Sequence, residues 1–242
     1  MMEIRVFDNA AQAGQAAAAL FTAQLLTKPD SVLGLATGSS PIPTYQQLIA
    51  LCRAGVVDFS RAVSYNLDEY VGLSADHPCS YHYFMMDQLF NHVNMRREAI
   101  HVPSGDAADL TASAQAYDAA IAQAGGIDLQ LLGIGRNGHI GFNEPCERFI
   151  DGCHVVDLSA STIEANTRFF ADESQVPRQA VSLGIGAIMR ARKVILIATG
   201  EDKAQAIHDT VKNDVTPQVP ASILKYHPNV VFLLDKAAAK ML

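Results

Sequence analysis

Two residues with acid–base chemistry, His139 and Glu144, lie in one glycine-rich segment, GIGRNGHIGFNEP, at positions 133–145. An imidazole moves protons near neutral pH, and a carboxylate close to it can orient the ring and stabilise its positive charge. The apolar run IDLQLL precedes the segment and predicts a buried strand. We therefore interpret the segment as a loop that holds a histidine and a carboxylate at the C-terminal end of a strand.

The opening of this segment, GIGRNG, also matches the G-x-G-x-x-G fingerprint of dinucleotide-binding proteins. Asp157, at the end of the strand-like run CHVVD, lies near the distance at which a ribose-binding acid occurs. The fingerprint needs a helix directly after the glycines, because the pyrophosphate binds at the N-terminus of that helix. Gly141, Pro145 and Gly152 interrupt the residues that follow, and these show no helical period. A phosphate site of this kind is therefore disfavoured.

A second loop, LATGSSP at positions 35–41, has the composition of an anion-binding site. Gly38 allows close approach of the backbone, the hydroxyls of Thr37, Ser39 and Ser40 can donate hydrogen bonds, and a predicted helix follows. The loop lacks the lysine of a Walker A motif, which argues against a nucleoside triphosphate. The alternative is an ordinary capped turn.

A third loop, NLDEY, follows a predicted strand and contains two adjacent acids, Asp68 and Glu69. Neighbouring side chains in a loop cannot both point into one pocket, so we expect one to face a pocket and the other to pair elsewhere. A carboxylate at the end of a strand is a candidate general base. The alternative is a solvated acidic loop.

A fourth loop, ATGEDKA, places Lys203 at the start of a predicted helix. A cation is slightly unfavourable at a helix N-terminus, which favours a role in binding an anion over a surface role. Arg168, in NTRFF, is unremarkable by itself. We expect the adjacent Phe169 and Phe170 to pack in the core rather than to contact a cofactor.

Short β-rich runs alternate with helix-like runs along the whole chain, and this order positions the four loops. We predict strands at 3–7, 31–36, 62–67, 99–103, 127–134, 153–158, 179–185, 193–199 and 229–235. Helices are predicted from an Asn9 cap to about 26, and at 44–53, 80–93, 110–124, 161–170 and 201–211; residues 68–78 are predicted to be a loop.

Alternating strands and helices predict an α/β fold: a single domain with a Rossmann-like, open, largely parallel sheet and helices on both faces. Ligands of such sheets bind at the C-terminal ends of the strands, where the four loops are expected to meet.

The totals limit the classes of function. The chain has 242 residues and a net charge of -7, with no basic run, so its surface should repel nucleic acid and anionic membranes. No apolar stretch has the length of a membrane span and the N-terminus does not resemble a signal peptide, so we expect a cytoplasmic protein. We expect free thiols at Cys52, Cys79, Cys146 and Cys153, and no structural metal.

Several motifs resemble those of the glucosamine-6-phosphate deaminase (glucosamine/galactosamine-6-phosphate isomerase) family. They are LATGSSP, YNLDEYVGL, HPCSYHYFM, GIGRNGHIGFNEP, NTRFF, QVPRQAVSLGIG and ATGEDKA, in the order of the family and over nearly the whole chain. The resemblance implies that glucosamine 6-phosphate and water are converted to fructose 6-phosphate and ammonia, without a metal or organic cofactor.

The resemblance also implies roles for individual residues. Asp68 would take a proton from sugar C2 and return it at C1, and His139, supported by Glu144, would open the sugar ring. The phosphate would be held by Thr37, Gly38, Ser39, Ser40, Arg168 and Lys203. Many members of the family have Asp at the position of Asn137, so Glu144 is expected to take a larger share in orienting His139.

The resemblance is to the shorter members of the family, which implies a mobile lid at about 159–177. It also predicts a monomer or small homo-oligomer without allosteric activation, because the segment 146–158 has few basic residues and the chain ends soon after its last strand. Two alternatives remain: a 6-phosphogluconolactonase-like hydrolase, whose related loop lacks FNEP, and a non-catalytic sugar-phosphate sensor, which would need no catalytic acids.

Overall fold

A computed structural model describes residues 2–242 and contains ten strands in that range. In chain order they are β1 (Met2–Phe7), β2 (Val32–Leu35), β3 (Val63–Asn66), β4 (Asp68–Tyr70), β5 (Ile100–His101), β6 (Leu129–Leu132), β7 (His154–Asp157), β8 (Gln179–Ser182), β9 (Val194–Ala198) and β10 (Val230–Asp235). The α-helices are α1 (Ala10–Thr27), α2 (Ile42–Arg53), α3 (Tyr81–Gln88), α4 (Leu110–Gln123), α5 (Ala160–Asn166), α6 (Ile185–Met189) and α7 (Ala204–Lys212).

Seven strands form one parallel sheet in the order β1-β10-β9-β6-β2-β3-β5. Side chains alternate across it, so Val194 and Leu196 of β9 pack against one set of helices and Ile195 and Ile197 against the other. Helices α4, α6 and α7 cover the first face, and α1, α2 and α3 cover the second. The predicted fold class is confirmed.

The strand order brings the four predicted loops together. Strands β9, β6, β2 and β3 are consecutive neighbours in the sheet, and each of them ends at one of these loops. Because the strands are parallel, their C-terminal ends lie at the same edge of the sheet. The loops therefore surround one region of the surface.

Local signals in the sequence set the ends of several helices. The Asn9 side chain accepts a hydrogen bond from the Gln12 N–H at 3.0 Å and begins α1, as predicted. The Ser80 hydroxyl accepts one from the Tyr83 N–H at 3.0 Å and begins α3. The predicted helix at 80–93 is shorter than expected, since α3 ends at Gln88 and a separate 3₁₀ turn covers Phe90–His92.

A second sheet of three antiparallel strands, in the order β4-β8-β7, corrects two predictions. Residues 68–70 form a strand, because Asp68 pairs with Ser182 and Tyr70 with Ala180. The predicted strands at 153–158 and 179–185 exist, but they belong to this small sheet rather than to the parallel one. The partners of β4 are more than a hundred residues away, so no local pattern revealed the pairing.

Four helical segments were absent from the sequence-based prediction. Two are the 3₁₀ turns Arg97–Ala99 and Glu173–Gln175, and the others are the short helix α6 and the 3₁₀ helix Pro220–Tyr226, which both pack on the α4 and α7 face of the sheet. The four cysteines are free. Across residues 2–242, no helix is long and apolar enough to cross a membrane, and no group of three or more His, Cys, Asp or Glu side chains could hold a metal ion.

Candidate active site

A cavity of about 270 Å³ opens at the edge of the sheet where the four loops meet. Nine of the ten residues predicted for the site line it, namely Thr37, Gly38, Ser39, Ser40, Asp68, Asn137, His139, Arg168 and Lys203. The tenth, Glu144, lies behind His139 and contacts it. The sequence-based set is therefore brought together at one place.

Asp68 begins β4 and faces the cavity, although its side chain is only 6% exposed. Burial, and to a smaller extent the neighbouring charge of Glu69, raises the pKa of this carboxyl to about 8. A carboxylate in this setting loses water without gaining a cation, so its charged form is disfavoured. It therefore exchanges protons close to neutral pH, as a general base must.

The adjacent acid, Glu69, points away from the cavity because successive side chains of a strand alternate. Its carboxylate accepts hydrogen bonds from the N–H groups of Tyr70 (2.8 Å), Tyr81 (2.9 Å) and His82 (2.9 Å). The last two are at the start of α3, where free N–H groups favour a negative charge. The two acids thus differ in orientation, as expected, and Glu69 anchors a helix.

His139 and Glu144 form a close pair, with 3.6 Å between Nδ1 and Oε2. The other oxygen, Oε1, accepts a hydrogen bond from the Thr162 hydroxyl at 2.5 Å, and Oε2 accepts one from the Asn137 amide at 2.7 Å. Burial alone would raise the pKa of Glu144, but the hydrogen bonds and charge of His139, with Thr162 and Asn137, lower it to about 2. Glu144 is therefore a fixed negative charge beside the imidazole.

Asn137 connects the backbone of the histidine to the carboxylate. Its amide group donates to Glu144, and its carbonyl oxygen accepts from the His139 N–H at 3.2 Å. An aspartate at this position could not donate to Glu144 unless it were protonated. Asparagine thus orients Glu144 instead of supplying a second charge. In the sequence-based prediction, Glu144 likewise takes the larger share in orienting His139.

Glycine is required at Gly135 because the imidazole lies directly over it. A Cβ atom there would be 2.3–2.5 Å from three atoms of the His139 ring. Gly138, at a φ of +82°, turns the chain so that the histidine returns to the cavity. These glycines shape a histidine loop, and no helix lies between β6 and β7 in this fully described stretch, so the condition for a dinucleotide site is absent.

The Thr37–Ser40 loop, which also lines the cavity, has the features of an anion-binding site. Gly38 has a φ of +98° and aims the following backbone toward the start of α2. The N–H groups of Gly38, Ser39 and Ser40 have no hydrogen-bond partner among the described residues. Such groups at a helix N-terminus bind phosphate readily.

Three cationic residues, Arg136, Arg168 and Lys203, line the cavity. Lys203 is 20% exposed, and its Nζ atom is 3.5 Å from Oδ2 of Asp202. Burial lowers its pKa; Asp202 opposes that shift, while the charges of Arg136 and Arg168 add to it. Arg168 lies over the ring of Phe169, with 4.7 Å from its guanidinium carbon to the ring centre.

The family model of glucosamine-6-phosphate isomerases and 6-phosphogluconolactonases matches residues 7–232. The chain belongs to this family. Glucosamine-6-phosphate deaminase from Halothermothrix orenii is 48% identical over 241 residues and covers all of both chains. The deaminase from Lachnoclostridium phytofermentans is 55% identical over 217 residues, covering 90% of this chain and 92% of its own.

Solved structures of the glucosamine-6-phosphate isomerase and 6-phosphogluconolactonase family have the same fold. A monomeric glucosamine-6-phosphate deaminase superposes with a TM-score of 0.98 at 39% identity, over the full length of both chains. A 6-phosphogluconolactonase from Trypanosoma brucei superposes with a TM-score of 0.77 at 21% identity, covering 100% of this chain and 99% of its own. At that identity the second likeness shows the fold alone.

Within this family fold, residues 161–169 of the segment 159–177 contribute to the wall of the cavity. Thr162 of α5 reaches both Glu144 and His139, with 3.5 Å between its hydroxyl and the imidazole Nδ1. Near the other end of the segment, the Cys79 thiol donates to the carbonyl oxygen of Phe169 at 3.2 Å. The predicted mobility of this segment stays a prediction.

Several residues of the site are absent from the sequence-based prediction. No regular spacing in the sequence relates Thr162 to Glu144 or Arg136 to Lys203, so only the folded structure shows that they are close. Tyr70, Tyr81 and Phe142 form an aromatic wall, in which Tyr81 and Phe142 are stacked with ring centres 5.7 Å apart. Tyr81 lies in a predicted helix, and Tyr70 and Phe142 lie in predicted loops, but none of the three was assigned to the site.

The expectation for the two phenylalanines is half wrong. Phe170 packs against Tyr70 in a small apolar cluster, as expected, but Phe169 is 50% exposed at the cavity. Asp157 lies on β7, away from the cavity lining, and accepts a hydrogen bond from the Gln179 side chain at 2.8 Å. It holds no ribose-binding position.

Proposed function

We propose that this protein is a glucosamine-6-phosphate deaminase, which converts glucosamine 6-phosphate and water to fructose 6-phosphate and ammonia. The observation that carries the proposal is the joining of three features in one cavity. A buried carboxyl with a pKa of about 8, a His–Glu pair and an anion-binding end all line or support the same space.

The first step is opening of the pyranose ring. His139 takes the proton from the anomeric hydroxyl and returns a proton to the ring oxygen, which leaves an open-chain aldehyde at C1. Glu144 stabilises the imidazolium that forms between these transfers, because its carboxylate is held beside Nδ1 by Asn137 and Thr162. No proton is gained or lost overall.

The second step moves a proton from C2 to C1. Asp68, in its ionised form, removes the proton from C2, and a double bond forms between C1 and C2. The aldehyde oxygen O1 takes a proton from the ammonium group of the substrate, which gives an enol-amine. The protonated Asp68 then delivers the same proton to C1, giving an iminium at C2. Water adds to C2 and ammonia leaves, which yields the ketose. Asp68 returns to the carboxylate at the end of each turnover.

The phosphate is remote from these carbons, so its binding energy holds the open chain in register with Asp68. The Thr37–Ser40 loop offers backbone N–H groups and hydroxyls, and Lys203 and Arg168 supply charge. The same cavity would place C1 and C2 near the aromatic wall of Tyr70, Tyr81 and Phe142. All proposed steps use side chains and water.

We also propose the biological setting. The activity belongs to amino-sugar catabolism, including the breakdown of N-acetylglucosamine. Because a phosphorylated sugar is a charged metabolite that is retained in cells, the protein should act in the cytoplasm.

A monomer or small homo-oligomer with hyperbolic kinetics is proposed as the working form. A monomeric deaminase with a TM-score of 0.98 supports this assembly. In the segment 146–158, Asp151 pairs with Arg190, and Arg148 is the only permanent cation, so an anionic effector would meet unfavourable charge. A substrate curve with and without saturating N-acetylglucosamine 6-phosphate tests this, and sigmoidal kinetics relieved by that ligand would contradict it.

The decisive test is incubation with glucosamine 6-phosphate, followed by assays for ammonia and fructose 6-phosphate in equal amounts. Parallel incubation with 6-phosphogluconolactone tests the hydrolase alternative, and binding of sugar phosphates without turnover would favour the sensor. Equimolar ammonia and ketose with no lactone hydrolysis is the expected result.

A further inference from the structure

Arg136 lies in the glycine-rich loop. It follows Gly135, which accommodates the His139 ring, and it precedes Asn137. Its side chain lines the same cavity as Lys203 and Arg168. The Nε atom is 3.1 Å from Oδ2 of Asp202, and the same oxygen is 3.5 Å from Nζ of Lys203. One carboxylate oxygen therefore contacts the cations of two residues that line the cavity.

The charges around Asp202 do not sum to zero. Three permanent cations, Arg136, Arg168 and Lys203, face one carboxylate, Asp202, which leaves an excess of two positive charges in a chain whose net charge is -7. A phosphate monoester carries about -1.5 to -2 at pH 7 and would balance that excess. The two terminal nitrogens of Arg136 have no hydrogen-bond partner within residues 2–242, so its guanidinium retains donors for a ligand.

Stability does not explain the Arg136–Asp202 pair. The two side chains are 57% and 42% exposed, and exposed ion pairs contribute little to folding because water and salt screen them. The pair does, however, restrict the conformations of a long side chain at a residue that lines the cavity. A cation that is already oriented binds an anion with a smaller loss of conformational freedom.

We propose that Arg136 is a third cation for the substrate phosphate and that Asp202 is a positioning residue that holds Arg136 and Lys203 beside each other. This inference rests on the proposed function and adds residues that the sequence motifs did not assign. It makes the histidine loop serve both ends of the substrate, since Arg136 and His139 are three residues apart.

Kinetics of Arg136→Ala, Arg136→Lys and Asp202→Asn, with glucosamine 6-phosphate as substrate, test the proposal. We expect Arg136→Ala to raise KM about 5- to 30-fold while kcat stays within about twofold, and Arg136→Lys to recover part of the loss. Asp202→Asn should raise KM less, and the double variant Arg136→Ala/Asp202→Asn should resemble Arg136→Ala alone. Arg190→Ala, which removes another exposed Arg–Asp pair outside the cavity, is the matched control.

A second measurement separates this proposal from the proposed reaction. Inorganic phosphate should raise the thermal midpoint of the parent protein at constant ionic strength, and Arg136→Ala should reduce that rise more than Arg190→Ala does. If the parent produces no ammonia but phosphate still protects it through Arg136, the reaction is wrong and the site is right. A fall in kcat with unchanged KM, or equal protection of both variants by phosphate, would overturn the assignment of Arg136.

Discussion

Two carboxyl groups serve the same cavity, and their surroundings move their pKa values in opposite directions. Asp68 and Glu144 are almost equally buried, at 6% and 8% exposure. The pKa of Asp68 rises to about 8 because burial, and then the charge of Glu69, disfavour its ionised form. The pKa of Glu144 falls to about 2, since His139, Thr162 and Asn137 outweigh the effect of burial.

The comparison shows that the partners of a buried carboxyl, more than its depth, decide its role. Asp68 has apolar and aromatic neighbours and can exchange a proton during turnover. Glu144 has three polar partners and keeps its charge throughout. One cavity thereby holds a proton carrier and a permanent anion.

Asp68→Asn provides the strongest test of this difference. The amide keeps the shape but cannot accept the proton from C2, so we expect kcat to fall roughly 10²- to 10⁴-fold with little change in KM. Glu69→Gln is the matched control, because that neighbouring acid faces away from the cavity. It should lower Tm by weakening the start of α3 and leave kcat within about threefold. Near-normal turnover by Asp68→Asn would remove Asp68 from the mechanism.

The pH dependence of kcat/KM should report the ionisation of Asp68 in the free protein. Only the carboxylate is a base, so activity should rise with pH through a limb near the pKa of about 8. We expect kcat/KM to be roughly 10- to 100-fold lower at pH 6 than on the plateau. Lys203→Ala should lower the whole profile and keep this limb. A profile that is flat from pH 6 to 9 would contradict a raised pKa at Asp68.

Glu144→Gln tests the permanent anion. Loss of the charge beside His139 removes stabilisation of the imidazolium, and we expect kcat to fall roughly 10- to 100-fold. The limb due to Asp68 should remain. Glu147→Gln, an exposed acid in the same connecting segment, is the control and should be unaffected. An equal loss in both variants would indicate a general disturbance of the loop.

Lys203→Ala should affect binding rather than proton transfer, unlike the two carboxyl variants. Losing a charge-assisted contact costs about 1.5 to 3 kcal/mol, so kcat/KM should fall roughly 10- to 100-fold. Reaction of glucosamine without the phosphate should change little. Lys212→Ala, at the opposite end of α7, is the control. If Lys203→Ala affects both sugars alike, Lys203 does not contact the phosphate.

The smallest effect concerns stability and has opposite signs at the two carboxyls. The raised pKa of Asp68 gives stability that is complete below its ordinary pKa of 3.8 and is lost as the pH rises through about 8. Asp68→Asn should therefore gain Tm relative to the parent by about 3 to 8 °C more at pH 9 than at pH 5.

The lowered pKa of Glu144 gives stability that is present above 4.5 and is lost as the pH falls through about 2. Glu144→Gln should lower Tm at pH 7 and lose this deficit as the pH approaches 2. Thermal scans of the parent and both variants across this range measure the two dependences. If the Tm difference from the parent changed with pH in the same direction in both variants, the proposed contrast between the two carboxyls would be wrong.

Most of the fold follows from signals that operate within a few residues. Asn9 and Ser80 cap their helices, and the largely apolar runs of β6, β9 and β10 indicate buried parallel strands. The strand β4 has no such signal, because its three residues are acidic or aromatic and its pairing partners are distant in sequence. Local patterns could not distinguish this strand from a loop.

The same limit applies to the site. His139, Glu144 and Asp68 could be proposed from residue type and position at strand ends, and the structure brings them together. Thr162 and Arg136 act through contacts between segments that are 18 and 66 residues apart in the chain. Threonine and arginine are both common on protein surfaces, so only their tertiary contacts identify Thr162 and Arg136 as residues of the site.

The small antiparallel sheet makes activity depend on residues that do not contact the substrate. Ser182 of β8 pairs with Asp68, and its hydroxyl accepts a hydrogen bond from the Phe142 N–H at 3.0 Å. This serine is fully buried and lies outside the cavity lining, yet it adjusts the base and the histidine loop relative to each other. Random mutagenesis should therefore yield some variants that are folded but inactive and that carry their substitution in β8. Natural variants with altered reaction rates should likewise include substitutions at positions that do not contact the substrate.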